Sequence, residues 1–209
     1  MESMFEGAVT FNAPLSNWST SAVTSMSAMF MRATAFSQDL STFDTSSVTT
    51  LENMFQLSGF NGDVSTWQTS KVTTLAGIFR YAVNFDKPLP WDVSSVTTMQ
   101  LAFFGAKKFS QPLQAWDTSQ VTSMSSMFRL TESWNQDISG WSVANVQDMR
   151  NMFNFASGFR QNLCAWGPQL AQSGVDVYNA FRYSSCIDDT GPNLAASPPG
   201  PFCYPCSER

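Results

Sequence analysis

A repeat of 25 residues constrains the fold of this chain more than any other feature of its sequence. An aromatic residue, tryptophan in all units but one, returns at intervals of 24 or 25 residues. Its positions are Trp18, Phe43, Trp67, Trp91, Trp116, Trp141 and Trp166. A valine follows five residues after each of the first six aromatics, and a phenylalanine follows seven residues after each valine. A unit this short cannot bury its apolar residues alone, so neighbouring units must stack and share one core.

The apolar residues of each unit have helical spacing. In one unit they are Val23, Met26, Met29, Phe30 and Ala33. This spacing predicts one face of a helix of about three turns. Ser/Thr pairs just before the valine, such as Thr20-Ser21 and Thr45-Ser46, predict capped helix starts. The other half of each unit is rich in Ser, Asp and Gly, and it predicts a turn followed by a short strand near the Leu and Trp positions.

These patterns predict an α/β repeat solenoid of about seven units of 24–25 residues, each with one short helix and one short strand. Residues 1–166 are expected to form the repeat array, with an incomplete first unit. Residues 167–209 are expected to form a degenerate last unit and a Cys/Pro-rich, disulfide-bonded C-terminal cap. Single-residue deletions, between Phe55 and Phe60 and between Leu89 and Trp91, explain the two 24-residue intervals.

All four cysteines lie in the last quarter of the chain, at Cys164, Cys186, Cys203 and Cys206. An even number of cysteines gathered at one end predicts local disulfides, formed in an oxidising compartment. Three pairings are available. We expect Cys164–Cys186 and Cys203–Cys206, because the first of these would tie the last regular unit to the cap. Cys203 and Cys206 also match the CxxC of thiol oxidoreductases, but that motif belongs in a βαβ setting, so this remains a remote alternative.

Composition argues against several classes of function. The chain has no histidine, which removes the commonest general base and the commonest zinc ligand, so we expect no enzyme, no metal site and no cofactor. Its 11 basic residues are scattered along the sequence and form no basic patch there, which argues against a nucleic-acid partner. No apolar run is long enough to span a membrane. The N-terminus also lacks the charged and then apolar pattern of a signal peptide.

Two columns of aspartate recur at fixed positions in the repeat. They contain Asp39, Asp63 and Asp137, and Asp44, Asp92 and Asp117. Stacked carboxylates can bind calcium. Proline and asparagine occupy other positions of the first column, however, and these residues share with aspartate a preference for turns. The columns therefore favour turn formation over a calcium site.

A third column contains threonine in five successive units: Thr24, Thr49, Thr73, Thr97 and Thr122. Regular rows of hydroxyl groups at roughly the 5 Å spacing of strands resemble the flat surfaces of ice-binding or mineral-binding proteins. The simpler interpretation is that these are solvated hydroxyls in the first turn of each helix. The column is kept as a candidate surface-binding site, and an ice- or mineral-binding protein is the alternative function.

The segments WDTSQVTSMSSMF at 116–128 and WNQDISGWSVANVQDMRNMF at 134–153 resemble the repeat of the BspA-like leucine-rich-repeat surface proteins. Similar repeats occur in mycoplasma surface lipoproteins and in secreted proteins of microbial eukaryotes. The resemblance covers about residues 1–166 and implies a leucine-rich-repeat-like fold at the cell surface or outside the cell. It also implies adhesion or recognition of a protein, glycan or matrix partner through the repeated face, and it supplies no catalytic residue.

The chain starts in the middle of a unit. Met1 aligns with Met26 and Phe5 with Phe30, so MESMF corresponds to the second half of a predicted helix. Such an end would expose the apolar edge of the first unit. We therefore expect either that further repeats precede this segment in a longer protein, or that the open N-terminal end self-associates or docks onto another molecule.

Overall fold

Successive repeats form coils stacked on one another in the computed structural model, which describes residues 1–171 and 173–206. The coils are numbered 1 to 7 here from their valines, Val23, Val48, Val72, Val96, Val121, Val146 and Val175. One parallel bridge joins each coil to the next at an equivalent position. The bridges are Ser25–Thr50, Thr50–Thr74, Thr74–Thr98, Thr98–Ser123, Ser123–Asp148 and Asp148–Asp176. Each coil thus contributes a single residue to the ladder rather than a strand.

The prediction of an α/β repeat solenoid with a helix and a strand in every unit was wrong. The helices of the described residues are a 3-10 helix at Cys164–Trp166 and an α-helix at Gly167–Leu170. Their β structure consists of isolated bridges, including two antiparallel ones in the tail, Asp188–Cys203 and Asn193–Gly200. Most of the chain consists of turns and irregular structure. Within the same residues, no helix has the length and apolar character that crossing a membrane requires.

A series of tight turns replaces the predicted helix in each coil. In coil 1 the N–H of Met29 donates to the carbonyl of Met26 at 3.2 Å, three residues earlier in the same coil. The N–H of the next residue, Phe30, donates to the carbonyl of Met54 in coil 2 at 2.9 Å. Along the segment, N–H groups that donate within the coil alternate with N–H groups that donate to the next coil. The first and last residues of each turn are three positions apart. Apolar residues at these positions therefore have a nearly helical spacing without a helix.

The turns require left-handed backbone at two positions, four residues apart, in every coil. The first column is Ala28, Asn53, Gly77, Leu101, Ser126, Asn151 and Asn179, and the second is Arg32, Leu57, Tyr81, Gly105, Leu130, Phe155 and Tyr183. Each residue is the third of a turn closed by a hydrogen bond, with the positive φ of a type II turn. This conformation is incompatible with an α-helix and costs roughly 1 kcal/mol or more for a residue other than glycine. The hydrogen bonds between coils offset that cost.

The core contains two parallel ladders of aromatic rings. The phenylalanine that follows each Met position stacks on its counterpart in the next coil, with ring centroids 5.4–5.8 Å apart. This ladder contains Phe5, Phe30, Phe55, Phe79, Phe103, Phe128, Phe153 and Phe181. A second aromatic of the same coil lies against each of the six inner rings at 3.7–4.2 Å. The six inner phenylalanines are fully buried, as the expectation of one core shared by neighbouring units requires.

Polar side chains inside the stack connect neighbouring coils. The indole N–H groups of Trp67, Trp91, Trp116, Trp141 and Trp166 each donate to a carbonyl of the preceding coil at 3.0–3.3 Å. The hydroxyls of Thr20, Thr45, Thr69 and Thr118, which are buried, each donate to a carbonyl of the following coil at 2.8–3.0 Å. The predicted role of these threonines as helix caps was therefore wrong, since they bond between coils.

Two disulfides hold the C-terminal tail against the last coils. Cys164 pairs with Cys206, and Cys186 pairs with Cys203. Disulfide formation by all four cysteines is confirmed, but the expected pairing was wrong. The tail brings the buried ring of Phe202 edge-on to Phe181, at 6.4 Å between centroids. The tail thus covers the last ring of the phenylalanine ladder.

Candidate functional site

The predicted threonine column is exposed and is bonded into the stack. Thr97 donates both its N–H and its hydroxyl to the carbonyl of Thr73, at 2.9 and 3.2 Å. Thr49, Thr73 and Thr122 make the same two bonds to the threonine of the coil before them. The hydroxyls thus have a structural role that needs no ligand. Surface binding by Thr24, Thr49, Thr73, Thr97 and Thr122 stays a prediction.

The aspartates of the two predicted columns form turns. Asp44 accepts the N–H and the hydroxyl of Ser46 at 3.0 and 2.6 Å, and Asp92 accepts the same pair of donors from Ser94 at the same distances. In the other column the N–H groups two residues later donate to Asp39, Asp63 and Asp137. The turn interpretation is confirmed. Over residues 1–171 and 173–206, no three Asp, Glu or Cys side chains are grouped as a metal site would require.

The serine donors lower the pKa of these carboxyl groups. The hydroxyl of Ser46, followed by its N–H, holds the pKa of Asp44 below the ordinary value of 3.8. The hydroxyl and the N–H of Ser94 likewise lower the pKa of Asp92. Hydrogen bonds to the charged form favour ionisation. Both turns are therefore stronger when the carboxyl group is ionised.

We expect acid to weaken the fold through these turns. A carboxyl group whose pKa is lower in the folded chain contributes stability above the unfolded value, near 3.8, and loses it as the pH falls through the folded value. In an Asp44→Asn, Asp92→Asn variant the side chains keep an acceptor oxygen but no longer titrate. The free energy of unfolding should then decline less below about pH 5 than in the wild type. Urea unfolding at a series of pH values measures this, and identical acid profiles would contradict it.

Basic and aromatic side chains meet at one corner of the stack. A turn follows the buried phenylalanine of each coil, and its two central residues lie outside the hydrophobic core cluster. In coil 3 they are Arg80 and Tyr81, and the N–H of Ala82 closes the turn by donating to the carbonyl of Phe79 at 3.0 Å. Equivalent turns place Phe104 and Gly105 in coil 4, and Arg129 and Leu130 in coil 5. The repeat thus aligns Arg80, Phe104 and Arg129 along the stack.

The two arginines of this corner converge on one ring. The guanidinium carbons of Arg80 and Arg129 lie 5.6 and 5.5 Å from the Phe104 centroid, within cation–π range. The ring of Tyr81 meets Phe104 edge-on at 4.9 Å. Gly105 leaves space for the Tyr81 ring, because a Cβ atom at residue 105 would lie 2.5 Å from that ring. Arg80, Tyr81, Phe104 and Arg129, with Lys107 and Lys108 from the next turn of coil 4, are called the cationic corner.

The cationic corner has more positive charges than its neighbours neutralise. Lys107 pairs with Glu132 at 2.7 Å, and the ammonium group of Lys108 donates to the Asn84 side chain at 3.1 Å. No carboxylate of the described residues lies within ion-pair distance of Arg80 or Arg129. The Nε atoms of both arginines are buried and have no hydrogen-bond partner in this part of the chain. Of these four cations, only Lys107 pairs with a carboxylate of the described residues.

The same turn exposes apolar side chains in other coils. Leu57, Phe155 and Tyr183 occupy its second central position and are 37%, 44% and 51% exposed. Phe155 and Tyr183 are in contact, with 4.6 Å between centroids, and the Arg182 guanidinium lies 4.8 Å from the Tyr183 ring. The combination of cations and exposed apolar groups therefore extends along the stack beyond the cationic corner.

The structure brings together two basic residues that are far apart in the sequence, because Arg80 and Arg129 lie 5.6 and 5.5 Å from the ring of Phe104. The signal was present in the repeat itself, because aligning the units places Arg80, Arg129 and Arg182 at the same position. Counting charges along the linear chain misses this alignment.

Two stretches of the sequence, residues 1–90 and 89–188, match the family described as "Mycoplasma protein of unknown function, DUF285". The chain belongs to the DUF285 family. This match supports the mycoplasma-type part of the resemblance noted in the sequence. No curated protein and no solved structure matches the chain. The first DUF285 match contains Arg80, and the second contains Phe104 and Arg129, so the cationic corner lies where the two matched stretches stack.

A shallow apolar groove opens elsewhere on the DUF285 stack, between coils 3 and 4. It has a volume of about 460 Å³, and its lining includes Pro88, Pro90, Pro112, Trp91 and Trp116. Coil 3 has one residue, Pro90, between its aliphatic and its tryptophan, where coil 4 has Gln114 and Ala115. The groove therefore lies beside the predicted deletion between Leu89 and Trp91.

Proposed function

We propose that this DUF285 protein is a non-enzymatic recognition module that acts at the cell surface or outside the cell and binds its partner through the cationic corner. One observation carries the proposal: Arg80 and Arg129 converge on Phe104 with no ion-pair partner among the described residues. Neither guanidinium group is neutralised by a carboxylate of the described residues. A ligand that supplies negative charge would form charge-assisted hydrogen bonds with both.

Three further observations support the location and the type of function. Two disulfides are typical of proteins that fold in oxidising compartments. The cysteines of the CxxC motif belong to different disulfides, which does not suit a dithiol active site, and the sequence has no histidine. The adhesive role implied by the BspA-like resemblance is part of this proposal. A stack tied together by hydrogen bonds between coils would present the cationic corner in a fixed geometry.

A binding array tests the proposed function. The purified chain is applied to immobilised glycans, matrix proteins and a second sample of the same chain, beside an Arg80→Gln, Arg129→Gln variant. We expect at least one class of ligand to bind, with at least about tenfold weaker binding by the variant, because charged hydrogen bonds are lost. A Lys71→Gln, Arg160→Gln variant removes the same charge from exposed positions elsewhere and should bind like the wild type. Absence of binding on every surface, or equal binding by all three proteins, would contradict the proposal.

A further inference from the structure

We infer that the ligand of the cationic corner is a linear anionic polysaccharide, whose sulfate or carboxylate groups are bound by Arg80 and Arg129. This inference rests on the proposed recognition function and specifies its partner. The Nε–H groups of these residues donate to no acceptor among the described residues, and neither guanidinium group has an ion-pair partner there. A guanidinium presents its donors in a planar fork that matches the geometry of an oxyanion. The two arginines lack a negatively charged acceptor, and an anionic ligand would supply it.

The arrangement of the charges favours a chain over a small anion. Neighbouring coils joined by parallel bridges are about 4.8 Å apart, so Arg80 and Arg129, two coils apart, are separated by roughly 10 Å along the stack. Lys107 and Lys108 project from the coil between them. Two arginines at equivalent positions of the stack suit a ligand that repeats its negative charges along its own length.

The narrowness of the corner argues against extended anionic surfaces. The whole chain has a net charge of -5, and exposed aspartates such as Asp92 and Asp117 lie on other parts of each coil. A membrane surface or a nucleic-acid duplex would extend beyond the corner and be repelled by this excess of negative charge. A single linear chain lying along Arg80 and Arg129 would meet fewer of these carboxylates. The charge distribution thus favours a thin, flexible polyanion.

Backbone bonding argues against an acidic peptide. Peptides that bind along an edge commonly add a strand to unpaired N–H and C=O groups. At this corner those groups are used between coils, since Tyr81 N–H donates to the Phe104 carbonyl at 2.7 Å and Gly105 N–H to the Arg129 carbonyl at 2.8 Å. The corner instead offers cations beside the half-buried ring of Tyr81. Sugar rings carry apolar C–H faces that can pack on such a ring.

Direct binding to three polysaccharides tests the inference. Heparin carries sulfate groups, alginate carries carboxylates, and dextran is neutral. We expect the intact protein to bind heparin or alginate but not dextran, and to bind more weakly at about 200 mM salt than at about 50 mM. Heparin carries carboxylates as well as sulfates, so binding of heparin without binding of alginate would indicate that sulfate groups are required. The Arg80→Gln, Arg129→Gln variant should raise Kd at least about tenfold.

Two variants separate the geometry of the arginines from their charge. Arg80→Lys, Arg129→Lys keeps both charges but loses the planar fork, so its Kd should lie between those of the wild type and the glutamine variant. Lys71→Gln, Arg160→Gln should change Kd less than about twofold, because exposed charges at a distance are screened. Circular dichroism and the thermal midpoint of each variant establish that it is folded.

Failure of this inference is distinguishable from failure of the proposed function. Equal binding of dextran, or no binding of any of the three polysaccharides, would overturn the inference. Stronger binding to poly-glutamate, to a DNA duplex or to vesicles of phosphatidylserine and phosphatidylcholine would also overturn it. Either result leaves the recognition function standing if a ligand of the array still depends on Arg80 and Arg129. Binding that is insensitive to both arginines on every surface overturns both.

Discussion

Replacing Phe103 by alanine lowers the free energy of unfolding by about 3–5 kcal/mol. Phe103 is buried in the middle of the phenylalanine ladder, 5.7 Å from Phe79 and 5.5 Å from Phe128. It also stacks on Phe109 of its own coil at 4.2 Å. Hydrogen bonds on both sides fix the distance between coils, so the neighbouring rings cannot close the cavity. Urea unfolding of wild type and variant measures the difference.

Phe155→Ala is the matched control for this experiment. Phe155 belongs to a turn of the same segment, but its ring is 44% exposed and lies outside the ladder. The same loss of a benzyl group should therefore cost less than about 1 kcal/mol. A loss of less than about 1 kcal/mol at Phe103, or an equal loss of unfolding free energy at the two positions, would show that the ladder does not stabilise the core.

Removing the Cys164–Cys206 disulfide by a double alanine substitution lowers the free energy of unfolding by about 4 kcal/mol. This disulfide joins cysteines 42 residues apart in the sequence. Without it the unfolded chain gains conformational entropy, which stabilises the unfolded state relative to the folded one. Cys186–Cys203 closes 17 residues, and its removal should cost about 3 kcal/mol. Denaturant unfolding of the two double variants compares these values.

Peptide mapping without reduction checks the pairing itself. The structure requires one linked peptide pair containing Cys164 and Cys206 and another containing Cys186 and Cys203. A peptide with a bond between Cys203 and Cys206, or a free thiol at any of the four positions, would contradict it. Retention of full stability by either double variant would show that the tail does not stabilise the stack.

The sequence predicted the repeat and its buried residues but not the local backbone. Phe30 to Phe153 could be placed in one column because a strict period leaves each position in the same environment. The turn segment was mistaken for a helix because the first and last residues of each turn are three positions apart, which gives apolar residues a spacing similar to that of a helix. Glycine at Gly7, Gly77 and Gly105, and asparagine at Asn53 and Asn151, marked the left-handed positions. In other units the same two positions hold leucine, tyrosine or phenylalanine. Because these residues rarely adopt positive φ, the sequence pattern did not indicate left-handed backbone there.

The candidate site could be predicted only in part. Aspartate turns follow from local chemistry, because the acceptor and its serine donors are two residues apart. The cationic corner depends on which residues of different units share a column, and the disulfide pairing depends on the path of the tail. Both require the relative positions of distant segments. The charge column could have been found by aligning the units, whereas the cysteines have no repeat to align.

The N–H groups of the turn segment that donate between coils give the stack a net dipole along its axis. Between coils 1 and 2, the N–H groups of Met26, Ala28, Phe30 and Arg32 all donate forward, towards the C-terminal end. The Thr49 N–H donates backward. Peptide dipoles that point the same way add together, as they do in a helix, so the C-terminal end of the stack gains partial positive charge. There the N–H of Tyr183 donates to the carboxylate of Asp189 at 2.9 Å, which places a negative charge at the positive pole.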